Sequence, residues 1–381
     1  MYVSLEERSM AKVVTLVASE GSIVKGIQQV LKDMLEKGLV DACLVPLELP
    51  SKGNVVQSLV TSQQVLDSAN PLAPVLPVNT ARIVSQITKI ASSEKKVAVV
   101  ARSCELRALT ELAKLKQASL ENIVTIGVDC FGTFKVTDYV EAVKGNASAS
   151  QNYLKEAKEG KSDSRLRDAC KACEYPYPLN ADITIGLFGV DEALLIANTS
   201  EGEAIVDGLD LSEGKGADQR DAAIKNIVAE KIKYRDEIFA QTEKECHGLE
   251  NLGVLFTPCI GCHNCRDMCP ICYCKECVFD SSTFTFEADK YVGLSSRKGA
   301  IRMPTDTILF HVVRLNHMVT SCVGCGLCQD ACPNEVSVFR IFRLVGSKVQ
   351  PTFDYIPGQN IDDPLPLTTF KEDELEKVGY E

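Results

Sequence analysis

The sequence predicts an α/β domain with a mainly parallel sheet, followed by a smaller α+β domain built around cysteine runs. Over residues 12–145, short apolar runs alternate with amphipathic stretches. This alternation is typical of parallel strands joined by crossover helices. From residue 255 onward, cysteine, glycine and proline dominate the composition. A domain of a different kind is therefore expected to begin there.

The predicted strands are short and rich in β-branched residues, and turns or helices separate them. They are the runs KVVTLVA, DACLVPLEL, VVQSLVTS, KVAVVA, IVTIGVD, ADITIGLFG and EALLIANT. The predicted helices comprise a segment from about 23 to 37, TARIVSQITKIA, CELRALTELAKL, a long charged helix over 216–246, and a helix that Pro304 opens and that continues through ILFHVVRLNHM.

Changes in composition predict four regions. Residues 1–215 form the α/β domain and 216–250 a helical connection. Residues 251–340 form the cysteine-rich domain, with an insertion between its two runs. Residues 341–381 have few regular signals and several prolines, so they are expected to be a tail that packs over a surface.

Composition excludes several function classes. The 381 residues carry a net charge of −11, which argues against nucleic acid or anionic membrane as a partner. No apolar run reaches the roughly 18 residues that a membrane span needs, and the first residues lack the apolar core of a signal peptide. We therefore expect a cytoplasmic chain. Its 17 cysteines then favour metal binding over disulfides, because that compartment keeps thiols reduced.

Two cysteine runs have the spacing C-x2-C-x2-C-x3-C-P. This is the bacterial ferredoxin pattern for 4Fe-4S clusters, in which the fourth cysteine of each run serves the other cluster. Structural zinc usually takes separate C-x2-C pairs, so it is the weaker alternative. The sequence therefore predicts a bacterial-ferredoxin-type two-cluster domain. One cluster takes Cys259, Cys262, Cys265 and Cys332, and the other takes Cys322, Cys325, Cys328 and Cys269.

Three further cysteines, Cys272, Cys274 and Cys277, follow the first run closely. They are either a further metal site, completed by Cys246, or free thiols that shield the neighbouring cluster. Spacing does not separate these alternatives. The four histidines are not expected to form a site, and His311 is expected to be packed or exposed rather than ligating.

Four more cysteines are dispersed along the α/β domain. Cys104 and Cys130 follow two buried strands, and Cys170 and Cys173 form a C-x2-C before the next strand. Ligands gather at the carboxyl ends of parallel strands, so these thiols could form a four-thiolate site. Unlinked buried cysteines are the alternative. No G-x-G-x-x-G or P-loop motif is present, so no Rossmann or P-loop nucleotide site is predicted. The turn over residues 19–22, which leads into a helix N-terminus, is either a phosphate site or an ordinary loop.

Nearly the whole chain resembles the beta subunits of coenzyme F420-dependent hydrogenases and formate dehydrogenases, most of all the formate dehydrogenase beta subunit. The pieces that carry the resemblance are LEKGLVDACLV, ARSCELRALTELAKLKQASLENIVTIGVDCFGT, CKACEYPYPLNADI, CIGCHNCRDMCPICYCKEC, RLNHMVTSCVGCGLCQDACP and DYIPG. The cysteine-rich pieces are the most specific of them.

The resemblance implies that the α/β domain binds FAD beside a third 4Fe-4S cluster. Carried over by position, Cys104, Cys130, Cys170 and Cys173 hold that cluster. The family's flavin loops fall near two short segments, whose candidate residues are Gly21, Ser22, Pro77, Asn79 and Thr80. No catalytic residue is assigned, and nothing in the sequence resembles a molybdenum or tungsten pterin site.

The function implied is an electron relay. Electrons would pass between a catalytic partner subunit, of the formate dehydrogenase or hydrogenase type, and coenzyme F420 through the clusters and FAD. The first loop reads Ser-Glu-Gly-Ser over residues 19–22, whereas archaeal members usually carry paired glycines. A second interpretation is therefore a pure electron-transfer subunit that serves a heterodisulfide-reductase-like or bifurcating partner and has no F420 site.

Overall fold

The computed structural model describes residues 12–19, 21–51, 53–146, 148–284, 288–299 and 306–368. The chain divides into two compact units. The first comprises the residues up to Asp236, with Val323–Gly326 and Pro357–Asp363, and the second comprises the remainder. The division between them falls inside a helix, whereas composition had suggested boundaries at 215 and 250.

The first unit is a mixed seven-stranded sheet with helices between the strands. Its strand order is β1-β7-β6-β5-β4-β2-β3. The strands are β1 (Lys12–Leu16), β2 (Ala42–Glu48), β3 (Val55–Val60), β4 (Val97–Arg102), β5 (Ile123–Val128), β6 (Ile183–Gly186) and β7 (Ala193–Ala197). All seven predicted strands are present.

The pairing is parallel only in the centre of the sheet. Strands β2, β4, β5 and β6 pair in parallel, whereas β3 and β7 each join a neighbour in antiparallel fashion, and so does β1. For β3 and β7 the reason is loop length. Few residues separate β2 from β3 and β6 from β7, and such short connections allow a hairpin but not a parallel crossover. The expectation of a mainly parallel sheet therefore holds for the core strands alone.

Strands β4, β5 and β6 are buried along their whole length, as expected for strands covered on both faces. Helices of this unit connect and cover them. They are α1 (Ile23–Glu36), α2 (Thr80–Thr88), α3 (Ser103–Lys114), α4 (Val136–Gly145), α5 (Ala149–Lys158), α6 (Asp168–Lys171) and α7 (Ser200–Gly208), followed by the long α8 (Ala217–Glu245) in which the division between the units falls.

A buried ion pair ties α8 to the carboxyl end of β5. The Arg220 guanidinium donates from Nε and Nη2 to the two oxygens of Asp129, at 2.8 and 2.6 Å. The backbone N–H groups of Leu187 and Phe188 donate to the same carboxylate. Both charged side chains are almost fully buried. The pair therefore holds the residue that immediately precedes Cys130.

The second unit is helical among the residues described. Its helices are α9 (Leu249–Phe256), α10 (Asn264–Asp267), α11 (Ala288–Lys298), α12 (Asp306–Met318), α13 (Leu327–Asp330) and α14 (Val338–Val349). Pro304, predicted to open the insertion helix, lies outside the described residues. No helix in the described parts of the chain is both long and apolar enough to cross a membrane.

The region after residue 340 differs from the expected irregular tail. Helix α14 continues to Val349, and its apolar face, which includes Ile341, Phe342 and Leu344, is buried. Apolar residues recur here at helical spacing, so the pattern was present in the sequence although the prolines farther on obscured it. The last part of the predicted tail, residues 369–381, lies outside the described residues.

Candidate cofactor sites

The first unit contains a pocket at the carboxyl ends of β4 and β5. Strand β4 leads directly into α3, which carries Cys104 in its first turn, and Cys130 follows β5. Helix α6 brings Cys170 to the same place, and Cys173 follows it closely. All four dispersed cysteines line this pocket, whose empty space, including the part open to solvent, is about 410 Å³.

The segment over residues 70–78, which covers the strand ends, contributes another wall of the pocket. The N–H of Asn70 donates to the Pro46 carbonyl, and Val75 pairs with Phe134 beyond β5. Arg102 at the end of β4 donates to the carbonyl of Ala73 in this segment at 2.6 Å. The covering segment therefore follows the sheet edge at which ligands of α/β proteins gather, and its Leu76 lines the pocket.

Cations and hydrogen-bond donors surround the Cys170 sulfur. Its Sγ accepts from the Thr133 backbone N–H at 3.3 Å and from Arg167 Nη2 at 3.4 Å. Lys231 donates to the Cys170 carbonyl at 2.5 Å. Burial works against ionisation, but the charge of Arg167 and the Thr133 hydrogen bonds outweigh it and lower the pKa of Cys170. These contacts make the Cys170 proton easier to lose, and thiolates are the ligands of iron.

The other three thiols of the pocket are shifted the opposite way. Burial raises the pKa of Cys173 to about 11, and burial also raises the pKa values of Cys104 and Cys130. The charges of neighbouring cysteines add to this effect. Several thiols brought together in one buried place repel one another as thiolates, and a bound cation would relieve that repulsion.

Cys325 also lines this pocket, and its charge acts on Cys104. It belongs to the first unit through the short segment Val323–Gly326. Its spacing had assigned it to one of the two ferredoxin-type clusters, and no sequence signal indicated that it would lie beside the dispersed cysteines. The pocket therefore contains five cysteines rather than four.

In the second unit, residues of both cysteine runs lie together. Helix α10, in the first run, packs against α13, in the second. Cys265 is close enough to Cys259, Cys262 and Cys332 for their charges to act on it. Burial, which is the largest effect, and these charges raise the pKa of Cys265 to about 11, against the opposing charge of Arg314. The structure thus brings together the four residues predicted for one cluster, three from the first run and one from the second.

Backbone donors point at the sulfurs of both runs. The N–H of Gly261 donates to Cys259 Sγ, and the N–H of Val336 donates to Cys332 Sγ, each at 3.4 Å. Gly261 has a φ of +68°, a conformation that glycine adopts without strain. Hydrogen bonds to cluster sulfurs are typical of 4Fe-4S sites, so the thiols and their donors fit such a group.

The additional cysteines are placed differently from one another. Cys272 donates to the sulfur of Met318 and lies beside Cys269. Cys277 packs near Cys265, whereas Cys274 is exposed. Cys246 directly follows the long helix α8. Among the residues that the structure describes, no three His, Cys, Asp or Glu side chains are grouped as ligands of a single metal ion.

Helix α12, between the two runs, contributes contacts that the sequence did not indicate. His311 is buried, and 3.4 Å separates its Nε2 from Cys259 Sγ. Its ring stacks on Phe256 with centroids 4.1 Å apart. Burial and the charge of Arg314 lower the pKa of His311 to about 3. Arg314, one turn farther along α12, is buried among the cysteines of both runs.

The predicted flavin residues lie at two helix N-termini. Gly21, with a φ of +72°, precedes Ser22, which caps α1. Pro77 lies just before Asn79, which caps α2 by accepting from the Ala81 N–H at 3.0 Å. Thr80 donates from both its N–H and its hydroxyl to Glu105. Asn79 is fully buried, and its Nδ2 has no hydrogen-bond partner among the described residues.

Two separate parts of the chain match family models of known proteins. Residues 94–215 match the family model for the C terminus of the coenzyme F420 hydrogenase/dehydrogenase beta subunit. Residues 256–336 match a 4Fe-4S dicluster domain. The first match begins before β4 and ends after α7, so it contains the four dispersed cysteines, and the second contains both cysteine runs.

Two relatives match over nearly their whole length. F420-dependent formate dehydrogenase subunit beta of Methanocaldococcus jannaschii is 27% identical, over 93% of this chain and 98% of the relative. F420-dependent formate dehydrogenase 1 subunit beta of Methanococcus maripaludis is also 27% identical, over 92% and 94%. A chain of the F420-reducing [NiFe] hydrogenase complex from Methanosarcina barkeri has a TM-score of 0.43 and 16% identity, covering 63% of this chain and 94% of that one, a likeness too low to support any inference.

The two domain matches follow each other in the same order as the two cysteine sites. Both relatives are named as formate dehydrogenase subunits, and each alignment covers more than nine-tenths of this chain. The chain is therefore similar to the beta subunits of coenzyme F420 hydrogenases and dehydrogenases over residues 94–215, and its C-terminal part matches a 4Fe-4S dicluster domain.

Proposed function

We propose that this chain is the beta subunit of a formate dehydrogenase-like complex and relays electrons between a catalytic partner subunit and coenzyme F420. Two 4Fe-4S clusters would be held by the cysteine runs, with the eight ligands assigned from their spacing. A third would be held by Cys104, Cys130, Cys170 and Cys173, with FAD nearby. Formate oxidation itself would take place on the partner subunit.

The observation that carries the proposal is the convergence of the dispersed cysteines in one pocket of the first unit. Four cysteines that are far apart in sequence line the same cavity. Cysteines that only fill an apolar core would not be expected to lie together at a sheet edge beside three cations, Arg102, Arg167 and Lys231. A cluster ligated by four thiolates is negatively charged, so these cations would favour its binding.

The position of Cys325 favours a relay over isolated sites. This residue belongs to a ferredoxin-type run, yet it lines the pocket of the dispersed cysteines. Short distances between redox groups are what electron transfer requires. Cys325, one ligand assigned to a ferredoxin-type cluster, would thus stand beside the ligands proposed for the third cluster within the first unit.

For FAD, Asn79 provides the most direct support. A buried amide donor without a partner is costly, and an acceptor on a bound ligand would satisfy it. The candidate residues Gly21–Ser22 and Asn79–Thr80 lie at the N-termini of α1 and α2, and helix N-termini are favourable places for phosphate groups. Pro77 lies in the covering segment that leads to α2. Flavins exchange single electrons and also hydride, which a link between clusters and F420 requires.

The relatives support the substrate and the partner. Both are named as beta subunits of F420-dependent formate dehydrogenases, and this chain spans almost all of each. We therefore propose F420 as the soluble electron carrier and a formate-oxidising subunit as the partner.

Anaerobic purification of the full chain, with iron, flavin and zinc quantitation, tests the proposal. We expect iron for three 4Fe-4S clusters and one FAD per chain, with F420 reduction by an artificial one-electron donor. Iron and FAD without F420 turnover would contradict the substrate assignment. Zinc in place of iron would contradict the relay altogether.

A further inference from the structure

The segment between the two cysteine runs has a more specific arrangement than a spacer requires. Its helix α12 presents His311 and Arg314, three residues apart and so on one face, toward cysteines of the runs. Both side chains are buried, although this helix has exposed apolar residues on another face. The burial of two polar side chains on this face therefore indicates a role beyond packing.

Arg314 is the less ordinary of the two. Its side chain is 4% exposed, and its Nε and Nη1 are buried without a hydrogen-bond partner among the described residues. The guanidinium stacks over the ring of Phe342 on α14, at 4.8 Å from the centroid. An arginine remains charged at any ordinary pH, and a buried charge is strongly destabilising unless an opposite charge accompanies it.

The groups that act on the Arg314 charge are cysteine thiols. They are Cys269, Cys328, Cys265 and Cys272. In the assignment above, Cys265 belongs to one cluster, whereas Cys269 and Cys328 belong to the other. The guanidinium thus faces ligands of both clusters at once.

We propose that Arg314 is a shared counterion of the two ferredoxin-type clusters and raises the reduction potential of both. A cluster ligated by thiolates is negatively charged and becomes more so when it is reduced. A fixed cation nearby favours the reduced form, and the local charge is one of the factors that set cluster potentials. Arg314 acts through its charge on cluster ligands rather than on a substrate, so it is a positioning residue and not a catalytic one.

The inference rests on the proposed clusters and is tested separately from them. The full-length wild-type chain and the variants Arg314→Met, Arg314→Gln and Arg314→Lys would be purified anaerobically and assayed for iron. Their cluster potentials would then be measured by redox titration followed by EPR. Arg297→Gln, at an exposed arginine of α11 in the same unit, is the control.

We expect the neutral variants to keep their iron and to shift both cluster potentials to lower values, whereas the lysine variant stays near wild type because it keeps the charge. If Arg314→Met does not retain iron, the potentials of Arg314→Gln and Arg314→Lys still compare a neutral side chain with a charged one. Unchanged potentials in an iron-loaded neutral variant would overturn the inference. A shift in Arg314→Lys as large as in the neutral variants would also overturn it, because packing would then be the cause. Wild-type protein without iron would instead refute the proposed function.

Discussion

The two cysteine-rich regions of this chain are built in opposite ways. Each of the two runs places its cysteines three or four positions apart, so local turns are enough to bring the sulfurs of one run close together. In the first unit, the sulfurs come from β4–α3, from the end of β5 and from α6. The first kind of site depends on local chain geometry, and the second depends on the sheet. The two should therefore respond differently to changes in packing.

The largest effect is expected from Asp129→Asn. This substitution removes the buried anionic partner of Arg220 and leaves only the partly exposed Asp221 at 3.8 Å, and breaking a buried pair costs about 3–5 kcal/mol. The adjacent Cys130 would move with the strand end, so the pocket should lose its iron while the cysteine runs keep theirs. Urea unfolding and iron quantitation measure the two effects.

The matched control for this change is Asp207→Asn. It removes an exposed partner of Lys12 in the same unit, and exposed pairs contribute little to stability. An equal loss of iron from the pocket and from the runs of the Asp129 variant would contradict the contrast between the two sites.

Single ligands of the pocket provide the next test. Cys130→Ser should remove the iron of one cluster, because a serine oxygen is a poor substitute for a thiolate. Cys43→Ser is the control, since Cys43 is fully buried in β2 and burial raises its pKa to about 12. That control should lower stability and leave the iron content unchanged. If Cys130→Ser and Cys43→Ser contain the same amount of iron, this would argue against a cluster in the pocket.

Asn79→Ala separates flavin binding from helix capping. Loss of the cap should cost about 0.5–2 kcal/mol, and the purified protein should also contain less FAD. Thr199→Ala removes a comparable cap from α7, where the Thr199 hydroxyl accepts from the Gly202 N–H. It should lower stability by a similar amount with FAD unchanged. Equal FAD in both variants would argue against a role for Asn79.

The smallest effect is expected at His311. Replacement by phenylalanine preserves the stacking on Phe256 but removes the polar contact to Cys259. Because a hydrogen bond to a ligand sulfur favours the reduced cluster, one of the two potentials should shift modestly to lower values. His317→Phe, at an exposed histidine of the same helix, should change neither. If the reduction potentials of both clusters shift in the His311 variant, the cause would be a displacement of α12 rather than the loss of the contact to Cys259.

Much of the fold could be predicted because its signals are local. The seven strands and the helices α1, α3 and α8 appear as apolar runs or periodic segments, and the structure confirms them. The antiparallel edges were missed although the short connections after β2 and β6 indicated hairpins. Helix α14 was not predicted, because the prolines that follow it indicate irregular structure. The apolar periodicity over 338–349 indicates the helix that the structure contains.

The sequence by itself determined the two cysteine runs and the similarity to F420-dependent beta subunits, because ligand spacing is a local property that can be recognised without the fold. It also singled out the four dispersed cysteines, through the expectation that strand ends meet at one edge. Only the tertiary structure placed Cys325 in their pocket and Arg314 and His311 beside the runs. Those contacts join residues far apart in sequence, and a buried arginine looks the same in a sequence as an exposed one.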